Sequence, residues 1–368
     1  MSYSKNLNLL LTTRAIADGG AERVFLTIAR RFAARGDAVT LALDCAVPTE
    51  GLDETTNPRL VVLGRNHTAS TLRLAALLRA MRPDAALAAV SGSCAKLAMA
   101  AAIARSAAPL VFSYHGFEEW RTGRLGAIAY YGMPLLDRWA SRFVAVSDGL
   151  RRDLVERWGA DPAKTERIYN PVSIDLDVAA ASAVTLSERP PLVVAIGRLS
   201  VEKGMIDLVE AFARVRRPEA RLIIGGDGPE RDALAARVRS LGLDERVTLA
   251  GHVEPCAHYR RARVVAVPSR SEAFGLVVAE ALAHGLPIVA TACAGPREIL
   301  GDGRWGTIVP IGDADAMARG LEAALDDPGV ATDRIARAAA FSTEAGFGQW
   351  ARLVDEIAAS RRAPADRP

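Results

Sequence analysis

The chain has 368 residues, 50% of them hydrophobic and 24% charged, a balance that suits roughly two globular domains; only the tail RRAPADRP reads as disordered. Net charge is +3, with 22 Lys plus Arg against 17 Asp plus Glu in residues 1–175 and 24 against 26 in the rest. No apolar run reaches the ~18 residues of a membrane span, the start MSYSKNLNLLLTT lacks the parts of a signal peptide, and Cys45, Cys94, Cys256 and Cys293 have no paired spacing, so a cytoplasmic protein without disulfides or zinc is expected.

In chain order, NLNLLLTT (6–13) and DAVTLALD (37–44) read as strands flanking the helix AERVFLTIARRFAARG, which ends on Gly36. LVVLG, the helix TLRLAALLRAMRP, the strand DAALAAV, an Ala-rich helix from about Ser93 and the strand PLVFSYH follow. A helical region over about 122–141 precedes RFVAVS and the helix DGLRRDLVERWG. YNPVSIDLD (169–177) interrupts this alternation. After ERPP a second set begins with PLVVAIGRLS and runs through IDLVEAFARVRR, RLIIGGDG, RDALAARVRSLG, VTLAGHV, VVAVPS, PIVATA and GTIVP. Strands separated by helices predict an α/β protein of two doubly wound, Rossmann-like domains with a ligand cleft between the C-terminal ends of their strands. The expected boundaries are 1–172 for the first domain, 173–341 for the second, and a helix over about 342–362 that returns to the first, with Phe347 and Trp350 at the hinge.

Candidate site residues lie where strands end. Gly19 and Gly20 follow the first strand and let a loop bring backbone N–H groups close to a ligand at the start of a helix. Arg198 and Lys203, in GRLSVEKG, place two cations after the first strand of the second set; they suit a diphosphate, and Lys is rare here, at four residues. Gly228 in GGDGPER and Val253 in GHV end the next two strands and can offer backbone groups to a flat base, or simply make tight turns. His115 ends the strand of YHG, where it can face a cleft or be structural.

The segment SEAFGLVVAEALAHG (271–285) is an apolar helix with two carboxylates, Glu272 and Glu280. Its start is predicted at Phe274 or Gly275, so that the N–H groups of Phe274, Gly275 and Leu276 form an anion site. Glu280 can take vicinal hydroxyls, and Glu272 is expected on the far side of the bound phosphates. The pair Asp313 and Asp315 reads as an N-cap and a dipole partner of the next helix, not a metal site.

Taken together, GGAER (19–23), YHG (114–116), VSDGLRRDL (146–154), GRLSVEKG (197–204), GGDGPER (225–231), PSRSEAFGLVVAEALAHGLPIVAT (268–291) and GPREILGDGRWGTIVPIGD (295–313) resemble the retaining glycosyltransferases of the GT-B fold, in particular family 4 of the bacterial α-glycosyltransferases. The resemblance covers essentially the whole chain, and its Glu-x7-Glu element is the most specific mark. It implies that Arg198 and Lys203 hold the diphosphate of a nucleotide-sugar donor and that Glu280 binds the ribose. It further implies that Glu272 aligns the donor sugar, the amides of Phe274, Gly275 and Leu276 face sugar and phosphate, Gly19 and Gly20 lie under the diphosphate, and His115 sits near the anomeric carbon. Ala294 stands where members often have the first of two glycines, while Glu298 keeps its place; some relatives acting on polyprenyl-linked acceptors look similar there.

The expected reaction moves a hexose or N-acetylhexosamine from a UDP-sugar, or a GDP-sugar, to a saccharide or polyprenyl-linked acceptor with retention and without metal or cofactor. Rival readings are a nucleotide-sugar epimerase of the same fold and a non-catalytic sugar-binding protein. GRLGAIAYYGMPLLDRWASRF (123–143) mixes aromatic, apolar and Arg residues that can rest on the inner face of an anionic membrane or pack as core. No nucleic-acid partner is expected.

Overall fold

The computed structural model describes residues 6–16, 20–45, 57–173 and 186–362. The chain divides into two compact units, one of Met1–Pro171 with Thr343–Pro368 and one of Val172–Ser342.

In the first unit β1 (Asn8–Thr13), α1 (Gly20–Arg35), β2 (Ala38–Leu43), β3 (Arg59–Val62), α2 (His67–Met81), β4 (Ala85–Ala89), α3 (Ser91–Ala104) and β5 (Leu110–Tyr114) alternate along the chain. α4 (Arg124–Tyr131), α5 (Met133–Leu136), β6 (Ala140–Ala145), α6 (Asp148–Glu156) and a short β7 (Thr165–Arg167) complete it. The seven strands are parallel in the order β3-β2-β1-β4-β5-β6-β7. β1, β4 and β5 are almost wholly buried, as sheets covered on both faces must be, which is why their sequences are apolar runs and not alternations. The helical region over 122–141 is broken: Pro134 has no N–H to continue α4, so a second short helix starts there. The last helix, Thr343–Arg362, packs on this unit, with Phe347 edge-on to Phe32 at 5.0 Å between centroids and Trp350 edge-on to Phe25 at 6.2 Å. Arg35 anchors it by two 3.0 Å bonds to the Asp355 carboxylate.

The second unit contains β8 (Leu192–Ile196), α7 (Met205–Ala213), β9 (Arg221–Gly225), α8 (Arg231–Ser240), β10 (Val247–Gly251), α9 (Pro255–Tyr259) and β11 (Val264–Val267). α10 (Leu276–Ala283), β12 (Ile288–Thr291), α11 (Ala294–Ile299), β13 (Thr307–Val309), α12 (Ala314–Asp326) and α13 (Ala331–Ala338) follow. Its six parallel strands run β10-β9-β8-β11-β12-β13 around a core that includes Val193, Leu208, Phe212, Leu222 and Ile224. In both sheets the order reverses beside the first strand, between β1 and β4 and between β8 and β11. Such switch points open a crevice at the carboxyl ends of the strands.

Candidate active site

At the switch point of the second unit, the loop after β8 meets the loop after β11. Arg198 leaves the strand end exposed to solvent and makes no ion pair among the described residues. A single 3₁₀ turn, Val201–Lys203, then carries Lys203 inward, where its Nζ donates to Glu272 Oε2 at 2.5 Å. Lys203 and Glu272 are both partly buried. They face each other directly, although the sequence reading set them on opposite sides of a phosphate. The neighbouring Glu202 carboxyl is held below its usual value: burial pushes it up, but the Ser200 hydroxyl at 2.6 Å, its own N–H and the charges of Lys203 and Arg198 outweigh that.

Glu272 is followed by a helix that begins one to two residues later than the sequence suggests. Gly275 is its N-cap at φ 97°, ψ 66°, a left-handed geometry that ends the preceding loop, and α10 starts at Leu276. Its carbonyl accepts from Val278 at 2.9 Å and Ala279 at 3.2 Å. The N–H groups of Gly275, Leu276 and Val277 have no acceptor among the described residues, so the positive end of the helix is open beside the Lys203–Glu272 pair. Phe274 lies before the helix and is buried, its ring edge-on to Phe341 at 5.9 Å. Gly295 in α11 donates its N–H to the Glu272 carbonyl at 3.0 Å and fixes this loop from behind.

Glu280 projects from the body of α10, and the fully buried Tyr259 of α9 donates its hydroxyl to Glu280 Oε2 at 2.9 Å. Tyr259 was not singled out in the sequence; nothing in the spacing of α9 and α10 pairs the two. Gly228 lies against the Leu199 backbone, and Val253 covers Gly225, so the loops after β8, β9 and β10 share one edge. Backbone bonds join them, from Gly197 N–H to Gly225 at 2.9 Å and from Leu199 N–H to Asp227 at 2.9 Å. Asp313 caps α12 through a 2.8 Å bond from Ala316 N–H, and Asp315 pairs with Arg214 at 2.7 Å. Among the described residues no three His, Cys, Asp or Glu side chains gather to hold a metal ion.

In the first unit, Gly20 opens α1 after β1, while Gly19 lies outside the described residues. His115 follows β5. Its Nε2 shares a 3.0 Å hydrogen bond with Ser113 Oγ, and its buried Nδ1 makes no bond of full hydrogen-bond geometry. Burial lowers the imidazole to about 4, with the Asn170 side chain opposing, so the ring is neutral at pH 7. Sequence reasoning missed its neighbour Glu119. That carboxylate accepts from Ser91 N–H at 2.7 Å and His115 N–H at 3.0 Å, joining the start of α3 to the end of β5. Ser91 follows Val90, held at φ 71°, a strained value for a β-branched residue, at the C-terminal end of β4.

Burial raises Glu119 to about 7, against the two N–H bonds, with the charge of Glu22 adding to the rise. A carboxyl whose folded value is raised contributes stability that is full below the ordinary value of 4.5 and is lost as pH rises through about 7. Urea unfolding should therefore show wild type losing stability relative to Glu119→Gln between those pH values and levelling above them. Glu119→Ala should cost about 1–3 kcal/mol by stranding two N–H groups. A flat difference between wild type and Glu119→Gln across that pH window would refute the assignment.

Three of the four lysines lie among the described residues, and each is paired: Lys203 with Glu272, Lys164 with Asp137 at 3.2 Å, and the buried Lys96 of α3 with Asp44 after β2.

Comparison with known proteins fits this arrangement. Residues 18–176 match the model of Glycosyltransferase Family 4, and residues 180–341 that of Glycosyl transferases group 1. A D-inositol 3-phosphate glycosyltransferase of Kineococcus radiotolerans is 37% identical over 297 residues, 70% of this chain and 67% of that one. An N-acetylgalactosamine-N,N'-diacetylbacillosaminyl-diphospho-undecaprenol 4-alpha-N-acetylgalactosaminyltransferase of Campylobacter jejuni is 30% identical over 49% of this chain and 50% of its own. The matched stretch thus spans about half to two thirds of these relatives' length. The crystal structure of Anabaena HepE with UDP and glucose superimposes with a TM-score of 0.81 at 23% identity, covering 95% of this chain and all of that one. With two Rossmann-like units and both family models matched in turn, the chain belongs to the family 4 glycosyltransferases of the GT-B fold.

Proposed function

We propose that the protein transfers a hexose or N-acetylhexosamine from a nucleotide-diphosphate sugar to a hydroxyl of a saccharide or polyprenyl-linked saccharide, with retention and without a metal ion. The observation that carries the reading is the Lys203–Glu272 pair beside the open N-terminus of α10, at the switch point of the second sheet. UDP is the favoured base carrier, with GDP second; HepE was solved with UDP.

In this reading Arg198, Lys203 and the amides at the start of α10 take the diphosphate. Glu280, braced by Tyr259, takes the ribose hydroxyls, and the backbone near Gly228 and Val253 takes the base. As the anomeric carbon–oxygen bond breaks, its electron pair leaves with the nucleoside diphosphate, whose charge the two cations stabilise. The acceptor oxygen bonds to the anomeric carbon on the same face, and the departing phosphate oxygen takes its proton. Glu272 is held by Lys203, which suits alignment of the sugar better than attack on it. His115, neutral, is the first unit's candidate hydrogen-bonding group for a sugar.

A panel of UDP- and GDP-linked hexoses and N-acetylhexosamines, followed by donor hydrolysis and by thermal shift, tests the reading. One UDP-sugar should respond; no response to any donor would sink it, and conversion of a donor to its epimer without acceptor would favour the epimerase reading. Tyr259→Phe should raise the donor KM severalfold with kcat nearly unchanged, because it loosens a group that binds donor equally before and during reaction. An unchanged KM would remove Glu280 from the ribose.

The acceptor reading extends to a membrane surface. α4, α5 and the following turn expose Ile128, Tyr131, Leu135 and Trp139, with Tyr131 66% accessible, beside Arg121, Arg124 and Arg138. Exposed apolar side chains with arginines in the same segment, Arg121 of them paired with Glu118, suit the headgroup region of an anionic bilayer, as on the inner face of the cytoplasmic membrane. No helix among the described residues is long and apolar enough to cross a membrane. Flotation with anionic but not neutral vesicles is expected, and no flotation with either would favour an acceptor in solution.

A further inference from the structure

The loop that carries Arg198 and Lys203 is fixed to the loop that carries Glu272 by residues not yet assigned to the donor. The carbonyl of Glu202, in the 3₁₀ turn before α7, accepts from Arg270 N–H at 2.8 Å and from Ser271 N–H at 3.3 Å. The Arg270 guanidinium pairs with the first turn of α7: Nε donates to Asp207 Oδ2 at 2.7 Å and Nη2 to Oδ1 at 2.8 Å. A two-pronged pair of this kind fixes direction as well as distance, which a single hydrogen bond leaves free. Glu272 stands two residues after Arg270, and Lys203 stands four residues before Asp207. The Asp207–Arg270 and Lys203–Glu272 pairs therefore join the same two segments, side by side.

The backbone packs closely at the same place. Gly204, between Lys203 and α7, lies at φ 63°, and a Cβ there would come within 2.2 Å of the Pro268 carbonyl oxygen. From behind, the buried Ser269 is held by its carbonyl, which accepts from the Thr291 hydroxyl and from Cys293 Sγ at 3.0 Å. Toward the turn after β8, the anchors of this loop are the Glu202 carbonyl, the Asp207 carboxylate and Lys203. Asp207, by hydrogen bond and by charge, raises the Arg270 guanidinium above its usual value, with burial opposing and Glu230 adding to the rise.

Half of the Arg270 side chain is exposed, and 22% of Asp207. An ion pair so wet adds little to the stability of the unit, so its effect lies in the geometry it imposes. We propose that Asp207 and Arg270 are positioning residues of the donor site: their pair holds the loop after β11 against the turn after β8, in the register at which Lys203 Nζ meets Glu272 beside the open start of α10. The inference rests on the donor site proposed above. It gives the two residues a role exerted through Lys203, without contact to the donor. A charged group displaced by about 1 Å from a bound phosphate loses most of a charge-assisted hydrogen bond, whose reach is narrow.

Hydrogen exchange of the full chain without ligand, and calorimetric titration with UDP and GDP, test this; the tighter nucleotide is the probe. Asp207→Asn and Arg270→Gln should each speed exchange across residues 269–272 by about fivefold or more. Each should weaken the probe about tenfold, and the two together no more than either alone. In a Lys203→Ala background neither should weaken it further, whereas a general loosening of the unit would. Glu210→Gln, which removes the α7 carboxylate paired with Arg237, should leave exchange and affinity as in wild type. Unchanged exchange and affinity in both variants, a weakening that persists without Lys203, or an equal loss with Glu210→Gln would each overturn the role. If Lys203→Ala loses the probe and Asp207→Asn does not, the donor site stands and the positioning role falls. If wild type binds neither nucleotide at about 10 mM, the donor site falls and the role with it.

Discussion

Lys203→Ala is expected to lower kcat/KM for sugar transfer by about 10²–10³, the usual loss when a preorganised charge is removed from a developing anion. Two effects are combined in that number. Lys203 is 2.5 Å from Glu272, so its removal leaves a partly buried carboxylate unpaired as well as taking away the cation proposed for the diphosphate. A double-mutant cycle with Glu272→Ala separates them. If Lys203 acts only by placing Glu272, the double variant is no slower than Glu272→Ala; if it also binds donor, the double variant is slower and its donor KM is higher. Arg198→Ala supplies the comparison, because Arg198 is exposed and makes no ion pair among the described residues. It should lose transfer comparably while its unfolding free energy in urea stays within about 0.5 kcal/mol of wild type. Near-normal turnover in both single variants would remove the diphosphate from this loop.

Gly295→Ala is expected to be as damaging, although the residue touches no donor. An added Cβ would lie 2.2 Å from the Phe274 carbonyl oxygen and 2.6 Å from its Cα, contacts with backbone that no side-chain rotation relieves. The helix Ala294–Ile299 must then withdraw, at about 1–3 kcal/mol. The bond from Gly295 N–H to the Glu272 carbonyl ties that shift to the loop carrying Glu272 and Gly275. A displacement of about 1 Å at a reacting centre costs on the order of 10²-fold. Activity should therefore fall further than stability. A variant of full activity and unchanged unfolding midpoint would show that α11 does not position the loop. Ala294→Gly, at the adjacent position where the family resemblance implies that members often have glycine, creates no such contact and should cost no more than the ~1 kcal/mol of a glycine in a helix.

Much of this site is written in local chemistry. Apolar runs bounded by turns give the two sets of parallel strands because a sheet covered on both faces needs no alternation, and β1, β4 and β5 show that burial. Residues at the carboxyl ends of strands in one parallel sheet share an edge whatever the remaining details, so Arg198, Lys203 and Glu272 in the second sheet, and His115 in the first, were legible as candidates from position alone. Less legible was anything that depends on a partner distant in the chain. Glu119 looks like one acid in FEEW, yet it joins the N–H groups of Ser91 and His115. Tyr259 looks like an ordinary helix residue, yet its hydroxyl braces Glu280 from 21 positions away.

By itself the sequence determined the fold class, the family and the residue types presented at the carboxyl ends of the strands, because hydrophobic periodicity and turn residues act over a few positions. The tertiary structure decided the strand order that puts the loop after β8 beside the loop after β11. It also decided the direct Lys203–Glu272 contact and the late start of α10 at Leu276. Contacts of this kind depend on which strands neighbour one another, and that is settled by packing across the whole domain.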